Sequence, residues 1–314
     1  MPTRIQWTDE TWNVVTGCSA GCSYCYARKM ARRLKAMGQP RYAQGFEPTF
    51  HPEALDAPLR WRKPRRVFVV SMGDLFDHAI TDDQIAAVFG VMAACPQHTF
   101  QLLTKRPERM AKWFEWLKEP RPLPMPPQMR TFNGIADCRL SVVWAAWLRG
   151  ISYHGDWLPV AFGPWPLPNV WLMVTAEDQP AADERIPWLL RCPAAVLGVS
   201  VEPMLGPIDF GGIGNALFDR RAAIRRCMYG TAAMNEEQAD SYIGRVELNW
   251  VICGCDSSPG AARPLHSWAT SLCDQCVAAG VPFFLKQWRD ANGRKVSLPE
   301  FDGRTWAEFP KVTR

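Results

Sequence analysis

Thr16-Gly17-Cys18-Ser19-Ala20-Gly21-Cys22-Ser23-Tyr24-Cys25-Tyr26-Ala27 puts three cysteines into a short run with the spacing C-x3-C-x2-C. Gly17 leads in and Gly21 sits inside, and the freedom of glycine at positive φ lets so short a segment curl tightly. Such a loop can aim three thiols at one spot, where they hold a metal or a cluster. Zinc in a structural site takes four protein ligands, so a zinc reading needs a distant fourth. A four-iron cluster on three thiolates keeps one iron open for another ligand. The plain alternative is three cysteines buried as small hydrophobes.

Outward from this loop, the 314 residues suit a single α/β barrel domain, and 47% hydrophobic content supplies a large core. There is no N-terminal apolar signal and no apolar run long enough to span a bilayer, so we expect a cytoplasmic protein with no membrane segment. In a reducing compartment, the eleven cysteines favour cluster or free thiols over disulfides. The formal charge of +5 is compatible with nucleic acid without requiring it.

The chain alternates strands and helices. Thr11 to Thr16 reads as a strand entering the loop. A helix should follow from Tyr26, with Tyr26, Met30, Leu34 and Met37 as its apolar face and Arg28, Lys29, Arg32, Arg33 and Lys35 opposite. Apolar runs at 67–71, 100–104, 171–175, 195–201, 249–254 and 281–288 read as strands, the first of them buried on both faces. Thr81-Asp82-Asp83-Gln84 is a capping box that opens a helix with Ile85, Val88, Phe89 and Met92 inward. Repeated βα units imply a parallel sheet, with polar residues gathered at the carboxyl ends of its strands. Two insertions interrupt the rhythm, a Pro- and Trp-rich one at about 119–168 and another at about 211–247.

C-x3-C-x2-C with Tyr24 just before the last cysteine resembles the motif of the radical S-adenosylmethionine (SAM) superfamily. Further strings narrow the likeness, among them Ser71-Met72-Gly73-Asp74-Leu75-Phe76, Leu103 to Met110, Ser200 to Asp209 and Val281 to Trp288. They resemble a phage-associated three-Cys-motif radical-SAM-like family. The resemblance implies a partial (β/α)6 TIM-like barrel within one domain, 1–314. It implies a 4Fe-4S cluster on Cys18, Cys22 and Cys25, with SAM on the fourth iron. Tyr24 would then lie near the adenine, Asp74 would meet the SAM amino group, and Lys105 and Arg106 would meet its carboxylate or a substrate phosphate. Glu177 and Glu202 would take the ribose hydroxyls or the substrate, or pair with an arginine. A flavodoxin- or ferredoxin-like electron donor is the implied partner. Near the sixth strand the family has Gly-Gly-Glu-Ser, whereas this chain has Cys253-Gly254-Cys255-Asp256-Ser257, so the acid is either displaced to Asp256 or lost.

The function expected is hydrogen abstraction from a nucleotide or nucleic-acid substrate, in the manner of phage DNA base modification. The rivals are a radical SAM enzyme on a small molecule or peptide, and a non-catalytic iron-sulfur protein that binds DNA or a partner. Cys253, Cys255, Cys273 and Cys276 read either as a second metal site or as core residues. Arg60, Arg62, Lys63, Arg65 and Arg66 read either as a phosphate track or as a solvated connection.

Overall fold

The computed structural model describes residues 3, 5–118, 166–211, 213, 248–258, 260, 261 and 263–311. The two expected insertions lie almost wholly outside the described residues.

In chain order the elements are β1 (Glu10–Trp12), β2 (Val15–Thr16), α1 (Tyr26–Ala36), β3 (Thr49–Phe50), β4 (Arg66–Val69), α2 (Asp82–Ala93), β5 (Thr99–Thr104) and α3 (Pro107–Lys118). They continue with β6 (Val170–Thr175), α4 (Gln179–Leu189), β7 (Val196–Val201), β8 (Trp250–Gly254), α5 (His266–Ala279), β9 (Phe283–Arg289), β10 (Lys295–Ser297), β11 (Glu300–Phe301) and β12 (Arg304–Thr305). Eight strands form one sheet in the order β1-β4-β5-β6-β7-β8-β9-β10. Every neighbouring pair from β1 to β9 is parallel, and β10 closes the edge antiparallel. The fold is mixed α/β with a curled half-barrel sheet of seven parallel strands, one more than the six of the expected barrel, and the antiparallel β10 at its edge.

Alternation along each strand divides two cores. Val67, Val69, Leu172, Val174, Val251 and Phe283 join the helices on one face. Phe68, Trp171, Met173, Trp250, Ile252 and Phe284 turn to the other face, where Trp7 packs among them. Trp250 lies edge-on to Trp7, Trp171 and Phe284. Edge-to-face contacts suit the aromatic quadrupole, and the rings fill the inside of the curl.

Local chemistry explains the best-read elements. Thr81 caps α2 by accepting from the Gln84 N–H, and the Gln84 side chain accepts from the Thr81 N–H. Ile85, Val88, Phe89 and Met92 are buried as the periodicity requires. Two expectations need correction. The strand expected over 11–16 is split, because the Asn13 side chain takes the Ser71 hydroxyl and the Met72 N–H, and β2 then pairs antiparallel with β3. On α1 the expected apolar stripe is not the buried one: Met30 and Met37 are exposed, Leu34 is half-buried and Tyr26 borders the cavity. The helix buries Ala27 and Ala31 instead, small residues that let it lie close to the body.

The cluster at Arg60–Arg66 is largely neutralised. Arg60 pairs with Asp56, Arg65 with Glu10, and Arg66 with Asp9. It lies before β4, at the amino edge of the sheet.

Candidate functional site: a thiol-lined cavity at the carboxyl edge

A cavity of about 360 Å³ opens where the parallel strands end. Trp7, Phe68, Val70 and Leu103 contribute its apolar lining. Cys18, Cys22, Tyr24, Cys25, Tyr26 and Phe46 line it from the cysteine loop and the segment after α1. The ends of β7, β8 and β9 add Glu202, Cys255, Asp256, Ser257 and Lys286, and Lys295 comes from β10. Val70 reaches this position with φ at +61°, an outlier for a β-branched side chain. Holding it there costs about 1–3 kcal/mol, and such strain concentrates at functional sites.

The cysteine loop is fixed at its base. Thr16 Oγ1 and His51 Nε2 are 2.7 Å apart, and burial pushes the His51 pKa down, which leaves the ring neutral. Gly17 donates its N–H to the Met72 carbonyl, and Cys18 donates to the Phe46 carbonyl. Gly17 has φ at +84°, and a Cβ there would stand 2.2 Å from the Glu47 carbonyl oxygen. Gly73 abuts Gly17 so closely that its own Cβ would lie 2.6 Å from the Gly17 oxygen. Cys25 is the N-cap of α1, its sulfur accepting from the Arg28 N–H.

Among the described free cysteines, Cys18, Cys22 and Cys25 alone retain exposure, whereas Cys95, Cys192, Cys253, Cys255, Cys273 and Cys276 are buried. As placed, no three His, Cys, Asp or Glu side chains among the described residues are grouped to hold a metal ion. The donor set still suits an iron-sulfur cluster: three thiols from one loop border one cavity and are open to it, and thiolate is the ligand such clusters take.

Asp74 and Arg106 meet here, but their groups are committed to the protein. Asp74 accepts from the Thr104 hydroxyl at 2.8 and 3.0 Å and from the N–H groups of Phe76 and Lys105. Arg106 reaches Asp74 at 3.4 Å, Asp77 at 2.9 Å and the Cys18 sulfur at 3.4 Å. Asp77, which the sequence reading passed over, accepts from the Ser19 N–H and hydroxyl. Burial alone would raise the Asp77 pKa, but the Ser19 and Ala79 N–H groups, the Ser19 hydroxyl and Arg106 hold it below its ordinary value. Burial pushes the Cys18 thiol up, while the Ala20 N–H and Arg106 pull against it.

A second network ties the loop to β5 and β6. Tyr24 donates its hydroxyl to Glu177 at 2.7 Å, and Lys105 Nζ donates to both the Tyr24 oxygen and Glu177 at 3.0 Å. Arg185, on α4, adds a contact to Glu177 at 2.8 Å. Burial would raise the Glu177 pKa, yet Lys105, Arg185 and Tyr24 together bring it to about 2. Burial and the Glu177 charge push the Tyr24 phenol up, so it stays neutral.

On the β7–β9 side Lys286 pairs with Glu202, and Gln287 also donates to Glu202. Neither Glu177 nor Glu202 pairs with Arg106, Arg109 or Arg263 as anticipated. Nothing in the local spacing announced Arg185 or Lys286 as partners. Asp256 lines the cavity and accepts from the Ser258 N–H at 2.7 Å. Buried Arg289 donates to the Asp256 and Ser258 carbonyls and so braces this loop. Cys253, Cys255, Cys273 and Cys276 belong to the helix-side core, and burial raises all four thiols.

The family model described as Protein of unknown function (DUF5131) matches residues 2–310, and the chain belongs to that family. The search of curated proteins finds no match. Among solved structures, spore photoproduct lyase complexed with dinucleoside spore photoproduct aligns at 10% identity with a TM-score of 0.36. That alignment covers 78% of this chain and 55% of the lyase, so the chain spans about half of that protein's length. A likeness this slight assigns nothing to the site. Among the described residues no helix is long and apolar enough to cross a membrane.

Proposed function

We propose that this DUF5131 member is a radical SAM enzyme whose reaction takes place in the cavity at the carboxyl edge of the half-barrel. The observation that carries the reading is the partition of thiols: the three in C-x3-C-x2-C border one cavity and keep exposure, while the other described cysteines are buried, Cys255 included although it borders the same cavity. Cys18, Cys22 and Cys25 would hold the 4Fe-4S cluster. That cluster, with SAM bound, would supply one-electron radical chemistry able to take hydrogen from an unactivated C–H bond.

The chain's own contributions follow from the geometry. Arg106 and Asp77 hold the first cysteine of the motif in place. Tyr24, Lys105 and Glu177 lock the segment between the second and third cysteines to the sheet. The aromatic packing beneath the cavity keeps water from entering through the curl. Asp74 acts here as a brace for Thr104 and Arg106. Glu202 and Asp256, on the β7–β9 side, are the acids placed to accept hydrogen bonds from SAM or substrate hydroxyl and amino groups. Ser257 and Lys295 suit a phosphate at the rim, which supports a nucleotide or nucleic-acid substrate.

The test is anaerobic reconstitution with iron and sulfide. We expect about four irons per chain, the number in one such cluster, with loss of the cluster in Cys18→Ala, Cys22→Ala and Cys25→Ala. With dithionite, SAM should yield 5′-deoxyadenosine, and incubation with nucleosides and oligonucleotides should yield a product of altered mass. Stoichiometric zinc and no iron in protein kept free of oxygen would overturn the reading.

A further inference from the structure

Resting on that reading for where the substrate lies, we infer that Thr175 and Ser200 form a hydroxyl shelf inside the curl that takes the polar edge of one unstacked nucleobase. The two residues are register partners across β6 and β7. Met173 and Val196 turn to the inside of the curl. Alternation along the strands sends Thr175 and Ser200 to that same face. Both border the cavity, at only 5% and 1% exposure.

Their backbones are committed: the Ser200 carbonyl accepts from the Ala176 N–H, and the Thr175 carbonyl accepts from Arg185. Their hydroxyls are not. Among the described residues neither hydroxyl has a hydrogen-bond partner. Nor is either sealed within the packing as Trp171 Nε1 and Gln101 Oε1 are, so both open to the cavity. An unpaired polar group in such a place costs about 1–3 kcal/mol, and an apolar side chain would avoid that cost. Two of them side by side are satisfied by a ligand with paired polar groups.

The surroundings set the class of that ligand. Neighbouring strands lie about 4.8 Å apart, so both hydroxyls reach one small group. A hydroxyl both donates and accepts, and the pair suits an edge that carries a donor beside an acceptor. Of the lysines in the lining, Lys105 is held by Glu177 and Lys286 by Glu202, while Lys295 stands exposed at the rim. The shelf therefore favours a neutral group over a carboxylate or phosphate. The wall from the N-terminal segment, β4 and β5 is apolar, with Trp7, Phe68, Val70 and Leu103. A flat ring with apolar faces and a donor–acceptor edge fits both walls, and a nucleobase is such a ring. A base stacked in a duplex cannot bring its edge to residues this deeply covered. The base must come from a free nucleotide or be drawn out of the stack of a strand. Its phosphate then lies outward, toward Ser257 and Lys295.

The test is binding, measured on reconstituted protein with SAM present and again on the protein as purified. The probes are the deoxynucleoside 5′-monophosphates, ribose 5-phosphate, SAM itself, and a short oligonucleotide in single-stranded and duplex form. Thr175→Val and Ser200→Ala remove the hydroxyls with little change of shape. Each should weaken at least one monophosphate about tenfold, as expected when a polar group of the ligand is left unpaired. Ribose 5-phosphate should bind weakly, and equally to parent and variants. Thermal unfolding should be unchanged or raised, since no internal hydrogen bond is lost. Shelf-dependent binding of the single strand but not the duplex identifies a base drawn from a strand, and shelf-dependent binding of monophosphates alone identifies a free nucleotide. Monophosphate affinity untouched by both substitutions, or no monophosphate binding at all, would overturn the shelf. So would an equal loss with ribose 5-phosphate, which puts a sugar there, or a loss of SAM affinity alone, which puts the cofactor there. A lowered melting temperature in both variants would also overturn it, by assigning the hydroxyls to the fold. Shelf-dependent nucleotide binding in a protein that takes up no iron would leave the shelf standing and overturn the radical reading.

Discussion

Replacing Arg106 with Gln tests the bracket that holds the first cysteine. The guanidinium sits 2.9 Å from Asp77 and 3.4 Å from Asp74, carboxylates with side-chain exposures of 1% and 6%. Removing one member of a buried pair costs about 3–5 kcal/mol, because the remaining charge stays buried. Here both acids keep other donors: the Ser19 and Ala79 N–H groups and the Ser19 hydroxyl for Asp77, and Thr104, Phe76 and Lys105 for Asp74. The loss should therefore sit at the lower end, about 3 kcal/mol. The assay is urea unfolding of the reduced, cluster-free protein. With a slope of about 2–3 kcal/mol/M, the midpoint should fall by about 1 M. Asp77→Asn alone should cost less, and the double variant should recover part of the sum, with a coupling of about 1–3 kcal/mol. Arg106→Lys keeps the charge and should lose less than Arg106→Gln. A midpoint unchanged in Arg106→Gln, or costs that simply add, would refute the bracket.

Other expectations follow from single contacts. Gly17→Ala forces a Cβ onto the Glu47 carbonyl at positive φ, and should destabilise the chain by several kcal/mol, about 3 or more by comparison with other strained backbone sites, as read by thermal unfolding. A variant as stable as the parent would contradict the close approach. Met30→Ala should stay within about 0.5 kcal/mol of the parent, whereas Ala31→Leu, at a fully buried position, should cost about 1–3 kcal/mol. The reverse order would mean that α1 is turned the other way. Glu177 is held at about 2, below its ordinary 4.5, so its ionised form contributes stability above pH 4.5 that drains away as pH falls through about 2. The stability gap between the parent and Glu177→Gln should close over that window, and a gap that widens on acidification would count against the Lys105–Glu177–Arg185 network.

The half-barrel was legible because doubly buried parallel strands leave an unbroken apolar mark, as in Val67-Phe68-Val69 and Trp171-Leu172-Met173. The capping box at Thr81 was legible for a similar reason, since its chemistry lies within four residues. The orientation of α1 was not legible. Periodicity selects the most apolar stripe, but Ala27 and Ala31 pack closest, and smallness counted for more than hydropathy. In the site, the cysteine loop stood out because its three thiols are local in sequence. The networks around it are built from pairs far apart in the chain, such as Tyr24 with Glu177 and Lys286 with Glu202, and no spacing rule reaches that far. Asp77 could have been found, since it follows Asp74 by three residues in the same turn.

The partition of cysteines also decides how this protein fails. Sulfur chemistry with oxygen needs access to the thiol, so Cys18, Cys22 and Cys25 will be the first of the described cysteines to oxidise, while the six buried ones are shielded. The fold draws its stability from strands and helices that barely involve those three sulfurs. A preparation made in air will therefore pass every check of integrity, with the same elution volume, circular dichroism and melting curve, after these three thiols have been oxidised. A sample that takes up no iron is evidence about its handling until its free thiols have been counted.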